Sequence, residues 1–410
     1  MRAVQRVTAP LRGLLGPDLV GARQSLTALA LSSVTGTVAG VVLASITGTL
    51  DSLPGLLVLV PAAAGMRGNI SGALGSRLAT SIHTGTFVLS PRRDTIVGQN
   101  ILAAMALTII MSVYLGVAAK LLAMLFGVAD TIGVLDLIII ATGGGVVASL
   151  VGMTMTISLA AGSTRYGWDL DNVSVPLIAA VGDMVTVPAL FAATFLVGRG
   201  ALTTSLGVVF VVAGLVATFS ALRSRGEILR RVVRESIPVL AATGIVHSIA
   251  GVILEHRLDA FSDKPALLVL VPSALSGVGA IGGILASRLG SKLHLGIIDA
   301  GLIPDRSARR DISVALGLVV PVFLLKGILV EVAHSVFGFD SPGLAALIGI
   351  SLVGGVLASA VIVVVAFYAA VSSIRFGVDP DTYGIPLVTS SADMVGSVAL
   401  VLALAMWGFT

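Results

Sequence analysis

The chain of 410 residues contains no cysteine, and charged side chains make up only 11% of it. Without cysteine there are no disulfides and no thiolate metal sites. An ordinary soluble domain is about 25% charged, so the low figure excludes that class. The first 24 residues are polar and dotted with arginine, and they lack the apolar core of a signal peptide. They read as a cytoplasmic N-terminal segment, long enough for a short amphipathic helix but not for a domain. No His or Cys cluster points to Zn²⁺ or Cu²⁺. No His-containing metal motif or nucleophile motif suggests an enzyme. What the chain does contain is 56% hydrophobic residues and 48 glycines. Small residues let membrane helices approach closely, so the expected class is an all-α integral membrane protein.

A membrane-spanning helix needs about 20 apolar residues. Eleven stretches qualify: 25–50, 55–80, 100–126, 132–161, 173–197, 203–222, 237–258, 266–289, 312–337, 344–373 and 383–407. Arg12 and Arg23, Arg92 and Arg93, Arg165, Arg230 and Arg231, Arg309 and Arg310, and Arg375 then fall on one side of the membrane. Arg199, Arg257 and Lys264 fall on the other. The positive-inside rule predicts a cytoplasmic N-terminus and an extracellular C-terminus, in a multi-pass protein of the plasma membrane. The net charge of +4 is a topology signal and not a nucleic-acid surface.

The chain repeats itself. RYGWDLDNVSVPLIAAVGDMV from Arg165 answers to RFGVDPDTYGIPLVTSSADMV from Arg375, an offset of 210 residues. LLVLVPAAAGMRGNISGALGSRLATSIHTG from Leu56 answers to LLVLVPSALSGVGAIGGILASRLGSKLHLG from Leu267, an offset of 211. Spans 1–5 thus recur as spans 7–11. Five is odd, so span 6 must intervene for the second copy to keep the orientation of the first. The reading is a 5+1+5 architecture with a pseudo-twofold axis along the membrane normal. Residues 25–200 form the first repeat, 201–233 a linking helix with a basic cytoplasmic loop, and 234–410 the second repeat.

Each copy carries one carboxylate well inside an apolar span, Asp183 and Asp393. A carboxylate there is costly and marks a functional site. Each lies seven residues beyond a proline, Pro176 or Pro386, that suits the first turn of a helix. At a rise of ~1.5 Å per residue that is roughly 10 Å further into the membrane. Two such carboxylates facing one axis carry a charge matching a divalent cation. Mg²⁺ keeps several waters and takes one or two carboxylates, which fits this sparse ligand set; Mn²⁺, Co²⁺ and Ca²⁺ remain open alternatives. Asp169, Asp171, Asp379 and Asp381 either line a cytoplasmic vestibule or cap helix N-termini. Asn69 sits among Gly65, Gly68 and Gly72, where the helix is expected to break and aim carbonyls at the ion. An interhelical hydrogen bond is the alternative role for Asn69. Arg77 and Arg288 recur in Ser-Arg-Leu and are expected to snorkel to the cytoplasmic face. His247 reads as a buried, hydrogen-bonded histidine and not as a ligand.

The segments PAAAGMRGNISGALGSRLAT from Pro61 and DLDNVSVPLIAAVGD from Asp169 resemble the MgtE magnesium channels, and resemble still more closely the duplicated solute carrier family 41 magnesium transporters. The resemblance runs from about Ser25 to the C-terminus. It implies a transport path for Mg²⁺ between two five-helix units, with Asp183 and Asp393 near the ion. It implies a transporter or channel and leaves open a Na⁺- or H⁺-coupled exchanger. It departs from MgtE in having no room for cytoplasmic regulatory domains. It also departs in its second half, where Ala280 stands in the place of Asn69. A single chain with both halves is expected to work as a monomer.

Overall fold

Backbone amides and carbonyls in lipid must be paired within their own segment, so long apolar runs become helices. The computed structural model describes residues 19–166, 182, 184–377 and 383–409. Among them are α1 (Leu19–Ser45), α2 (Thr47–Ser52), α3 (Leu56–His83), α4 (Ile96–Leu125) and α5 (Val134–Tyr166). A shorter apolar helix, α6, covers Met184–Thr194. Then come α7 (Ala201–Leu222), α8 (Glu227–Glu255), α9 (Leu258–Asp263), α10 (Pro265–His294), α11 (Arg306–Phe337), α12 (Leu344–Phe376) and α13 (Ile385–Met406). Among the described residues there is no strand. Ten helices among the described residues are long and apolar enough to cross a membrane. The predicted fifth span, 173–197, overlaps α6 and begins outside the described residues.

The first helix of each sequence copy packs in the other half. α1 lies along α10 and α11, and α8 lies along α3 and α4. Glycines make these contacts close. Gly40 of α1 rests on the backbone of Val269, and Gly251 of α8 rests on the backbone of Val58. The two repeated arginines follow the same pattern: Arg77 donates to Ser236 of α8 at 3.5 Å, and Arg288 donates to Ser25 of α1 at 3.2 Å. Both therefore tie into a neighbouring helix instead of only reaching for water. The short helices α2 and α9 meet each other, and Ser262 donates to Asp51 at 2.8 Å. Positions 51 and 262 are equivalent in the two copies, and their contact is compatible with a twofold relation between the copies.

α3 and α10 are the most enclosed spans. Leu56–Val60 and Leu267–Val271, the two LLVLV runs, are almost wholly buried. Glu255, buried at the end of α8, accepts from the Gly55 amide at 2.6 Å and so closes the start of α3. A carboxylate at a helix N-terminus meets both the unpaired amides and the positive end of the dipole. α7 is different. It contacts the flank of α4 and α5, and it leaves Leu202, Val209, Val212, Leu215 and Phe219 exposed. An apolar helix bare on its outer side suits a lipid-facing link.

Two expectations are corrected. α3 runs unbroken through Gly65, Gly68 and Gly72, so no carbonyls are freed there. Gly65 serves instead as a notch for the ring of His247. α8 begins at Glu227, about ten residues before the predicted span and inside the stretch read as a basic loop. Charge ends a hydropathy signal but not a helix: Arg231 and Glu235, one turn apart, pair at 2.9 Å on the exposed face.

Candidate cation site

α13 starts with Pro386 in its first turn, where the absent amide costs no hydrogen bond. Thr389 and Asp393 follow four residues apart and so share one face of the helix. From Ile385 to Asp393 is ~12 Å along the axis at the usual helical rise. Thr389 meets α3, where its Oγ1 donates to Asn69 Oδ1 at 3.2 Å. Asp393 meets α8, where its Oδ2 lies 2.8 Å from His247 Nδ1. α8 meets α3 at the same level, because the His247 ring fills the place that a Cβ on Gly65 would take. Gly65 is one turn before Asn69. Three helices thus meet in a closed triangle, two of its edges hydrogen bonds and the third a ring set against a glycine.

Within the triangle the carboxylate is the outermost charged group. The Asp393 side chain is 17% exposed, and the imidazole behind it is 0% exposed. Asn69 is buried, and its Nδ2 has no hydrogen-bond partner among the described residues. Beside it lies a cavity of about 20 Å³, bounded by Arg77, Ser236 and Pro386. That is room for roughly one water. Asn69 is among the residues that line this space, and its amide could donate to a water there after a small movement of the side chain.

Of the residues expected at the site, Asp393 and Asn69 are joined through one face of α13. Asp183, Asp169, Asp171, Asp379 and Asp381 lie outside the described residues. Among the described residues, no group of three or more His, Asp or Glu side chains gathers as a metal cage.

The triangle also contains residues that sequence reasoning did not assign. Thr389 was readable in principle. Its equivalent in the first copy is Ala179, just as the equivalent of Asn69 is Ala280, so the bonded pair is lost together. The partnership of His247 with Asp393 links residues 146 apart in the chain and left no local trace. Two further buried cations stand away from the triangle. Arg67 of α3 donates to the Gly145 carbonyl of α5 at 3.3 Å, and Lys326 of α11 donates to the Ser273 carbonyl of α10. Both are enclosed by protein.

The family model for MgtE, described as "Divalent cation transporter", matches residues 60–193 and again residues 271–403. This chain belongs to the MgtE family. Each match begins within the second span of a copy and ends within its fifth. Asn69, Asp183 and Asp393 fall inside the matched segments, whereas α8 and His247 fall between them. Curated relatives include solute carrier family 41 member 2 from Xenopus laevis, 25% identical over 86% of this chain and 65% of that protein. The human member 2 is 25% identical over 85% of this chain and 63% of its own length. Member 3 from Mus musculus is 26% identical over 85% of this chain and 74% of its own. The chain therefore spans somewhat less than two-thirds of the member 2 relatives. No solved structure matches it.

Proposed function

We propose that this chain carries Mg²⁺ across the plasma membrane through an acidic path between its two halves. One observation supports this above the rest: in an MgtE-family chain, the intramembrane Asp393 shares a helix face with a hydrogen-bonded Asn69–Thr389 pair where three helices meet. Asp393 and Asp183 supply two negative charges. Asn69 and Thr389 supply oxygen and nitrogen atoms that hold water. Such a site takes an ion with part of its hydration shell retained, as Mg²⁺ prefers. Asp169, Asp171, Asp379 and Asp381 form the acidic entrance on the cytoplasmic side. The two halves of one chain stand in for the two subunits of a dimer, so the monomer is the working unit. The N-terminus is cytoplasmic and the C-terminus extracellular.

The test is ion-specific uptake by the purified full chain in proteoliposomes, with and without imposed Na⁺ and pH gradients. Mg²⁺ uptake above protein-free vesicles is expected. Dependence on a Na⁺ or proton gradient identifies an exchanger, and uptake that ignores both identifies a channel. Selective uptake of Mn²⁺, Co²⁺ or Ca²⁺ without Mg²⁺ would replace the proposed ion.

Asn69→Ala is expected to weaken Mg²⁺ uptake several-fold and to raise Ca²⁺ uptake relative to Mg²⁺. Mg²⁺ demands near-octahedral order from its oxygen shell, and Ca²⁺ tolerates irregular shells. Ala280→Asn, on the face where the pair is already missing, is expected to change either rate less. If Asn69 only ties α3 to α13, Asn69→Ala lowers the melting temperature and leaves the Mg²⁺/Ca²⁺ flux ratio unchanged. Measuring both quantities on one preparation separates the roles.

A further inference from the structure

His247 stands on α8, outside both segments that the MgtE family model matches, yet it is in contact with Asp393. A carboxylate that receives a cation is ionised and only accepts hydrogen bonds, so in that state the 2.8 Å contact requires a proton on His247 Nδ1. Nε2 is buried and has no hydrogen-bond partner among the described residues. Among the described residues the ring therefore has one polar engagement, with Asp393. It is also confined sterically. Its edge lies in the notch left by the missing side chain of Gly65, and no part of it is exposed. A carboxylate in a wide path can rotate about two side-chain bonds. Asp393, bonded through Oδ2 to a wedged ring, has its other oxygen held in a fixed direction.

The first half does not repeat this support. At the 211-residue offset, His247 answers to Gly36 of α1, which has no side chain to offer. Gly36 instead lets α1 settle against Ser273 and Ser276 of α10. His247 joins Asn69 and Thr389, whose equivalents are Ala280 and Ala179, on one face only.

We infer that His247 is a positioning residue for cation binding, holding Asp393 in the orientation that receives the ion and making it unequal to Asp183. This rests on the reading of Asp393 as a path carboxylate. Partners that orient a metal-binding group typically contribute about 10–100-fold to metal affinity or activity when removed. An effect through orientation alone falls on affinity and not on the maximal rate.

The test measures Mg²⁺ uptake against Mg²⁺ concentration in proteoliposomes for His247→Phe, His247→Asn and His247→Gln, beside Asp393→Asn. Phe keeps a ring in the Gly65 notch but has no N–H. Asn places an N–H where Nδ1 stands, and Gln places it where Nε2 stands. His247→Phe is expected to raise the half-saturating Mg²⁺ concentration about tenfold or more, with the maximal rate nearly unchanged. His247→Asn is expected to remain close to wild type and His247→Gln to follow Phe. Wild-type half-saturation in His247→Phe, alongside lost uptake in Asp393→Asn, would overturn the inference and leave the path reading standing. Wild-type uptake in Asp393→Asn would overturn the path reading and this inference with it. Should the Phe variant fail to fold, the Asn and Gln variants decide: equal half-saturation in those two overturns the positioning role.

Discussion

Asp393→Asn is expected to lower Mg²⁺ uptake about a hundredfold or more while leaving the protein folded. Asn has nearly the size of Asp, and its amide oxygen can still accept from His247, so the packing of α13 against α8 and α3 survives. What is lost is one unit of negative charge facing a dication. Two unit charges ~4 Å apart interact by about 4 kcal/mol at an effective dielectric near 20, and a doubly charged ion doubles that. An intervening water weakens the interaction, yet several kcal/mol remain, and each ~1.4 kcal/mol is a factor of ten. Asp183→Asn is expected to act in the same direction. Both substitutions should leave the elution volume and melting temperature close to wild type, because each removes a charge from a costly location. Uptake at the wild-type rate by a monodisperse Asp393→Asn protein would remove that residue from the path.

Gly251→Ala and Gly40→Ala are expected to cost more stability than any substitution in the triangle. A Cβ at Gly251 would overlap the backbone of Val58, and one at Gly40 would overlap the backbone of Val269. A flexible side chain can rotate away from such a clash, but a helix backbone cannot. The whole of α8 or α1 must shift. Overpacking in well-packed cores costs about 1–3 kcal/mol where side chains can yield, and a backbone contact belongs at or above the top of that range. Gly68→Ala is the control, because nothing lies within 4 Å of the added group. The melting temperature in detergent and the recovery of monodisperse protein give the comparison. A Gly251→Ala protein that melts with Gly68→Ala would show that the α8–α3 contact can open without cost.

The helices were legible in the sequence because hydropathy and the membrane's demand for paired backbone act locally. The internal duplication was legible because the offsets of 210 and 211 residues are held across long segments. Asp393 and Asn69 stood out for one reason: polar groups are rare in apolar spans. What was not legible depends on which helix faces which. A repeat aligns α1 with α8 but is silent on whether each packs in its own half, and the paired contacts Gly40–Val269 and Gly251–Val58 cross between halves. For the same reason the environment of His247 was readable only as buried and bonded. Its partner arrives from a helix 146 residues away. The start of α8 was misread because a span was taken to end where charge begins, whereas intrahelical pairs such as Arg231–Glu235 carry the helix on into water.

The crossing of α1 into the far half bears on how the chain is made. α1 leaves the ribosome well before its main partner α10, which begins roughly 220 residues later. At ~5–20 residues per second, α1 waits roughly 10–40 s in the bilayer before its seat exists. During that interval its glycine-bearing face, with Gly36 and Gly40, lies open to lipid or to other nascent helices. The first half synthesised alone would keep that face uncovered and would lack α8 over α3 and α4. Supplied as two separate chains, the halves must interleave to complete either one. Assembly of this protein is therefore gated by the completion of its C-terminal half.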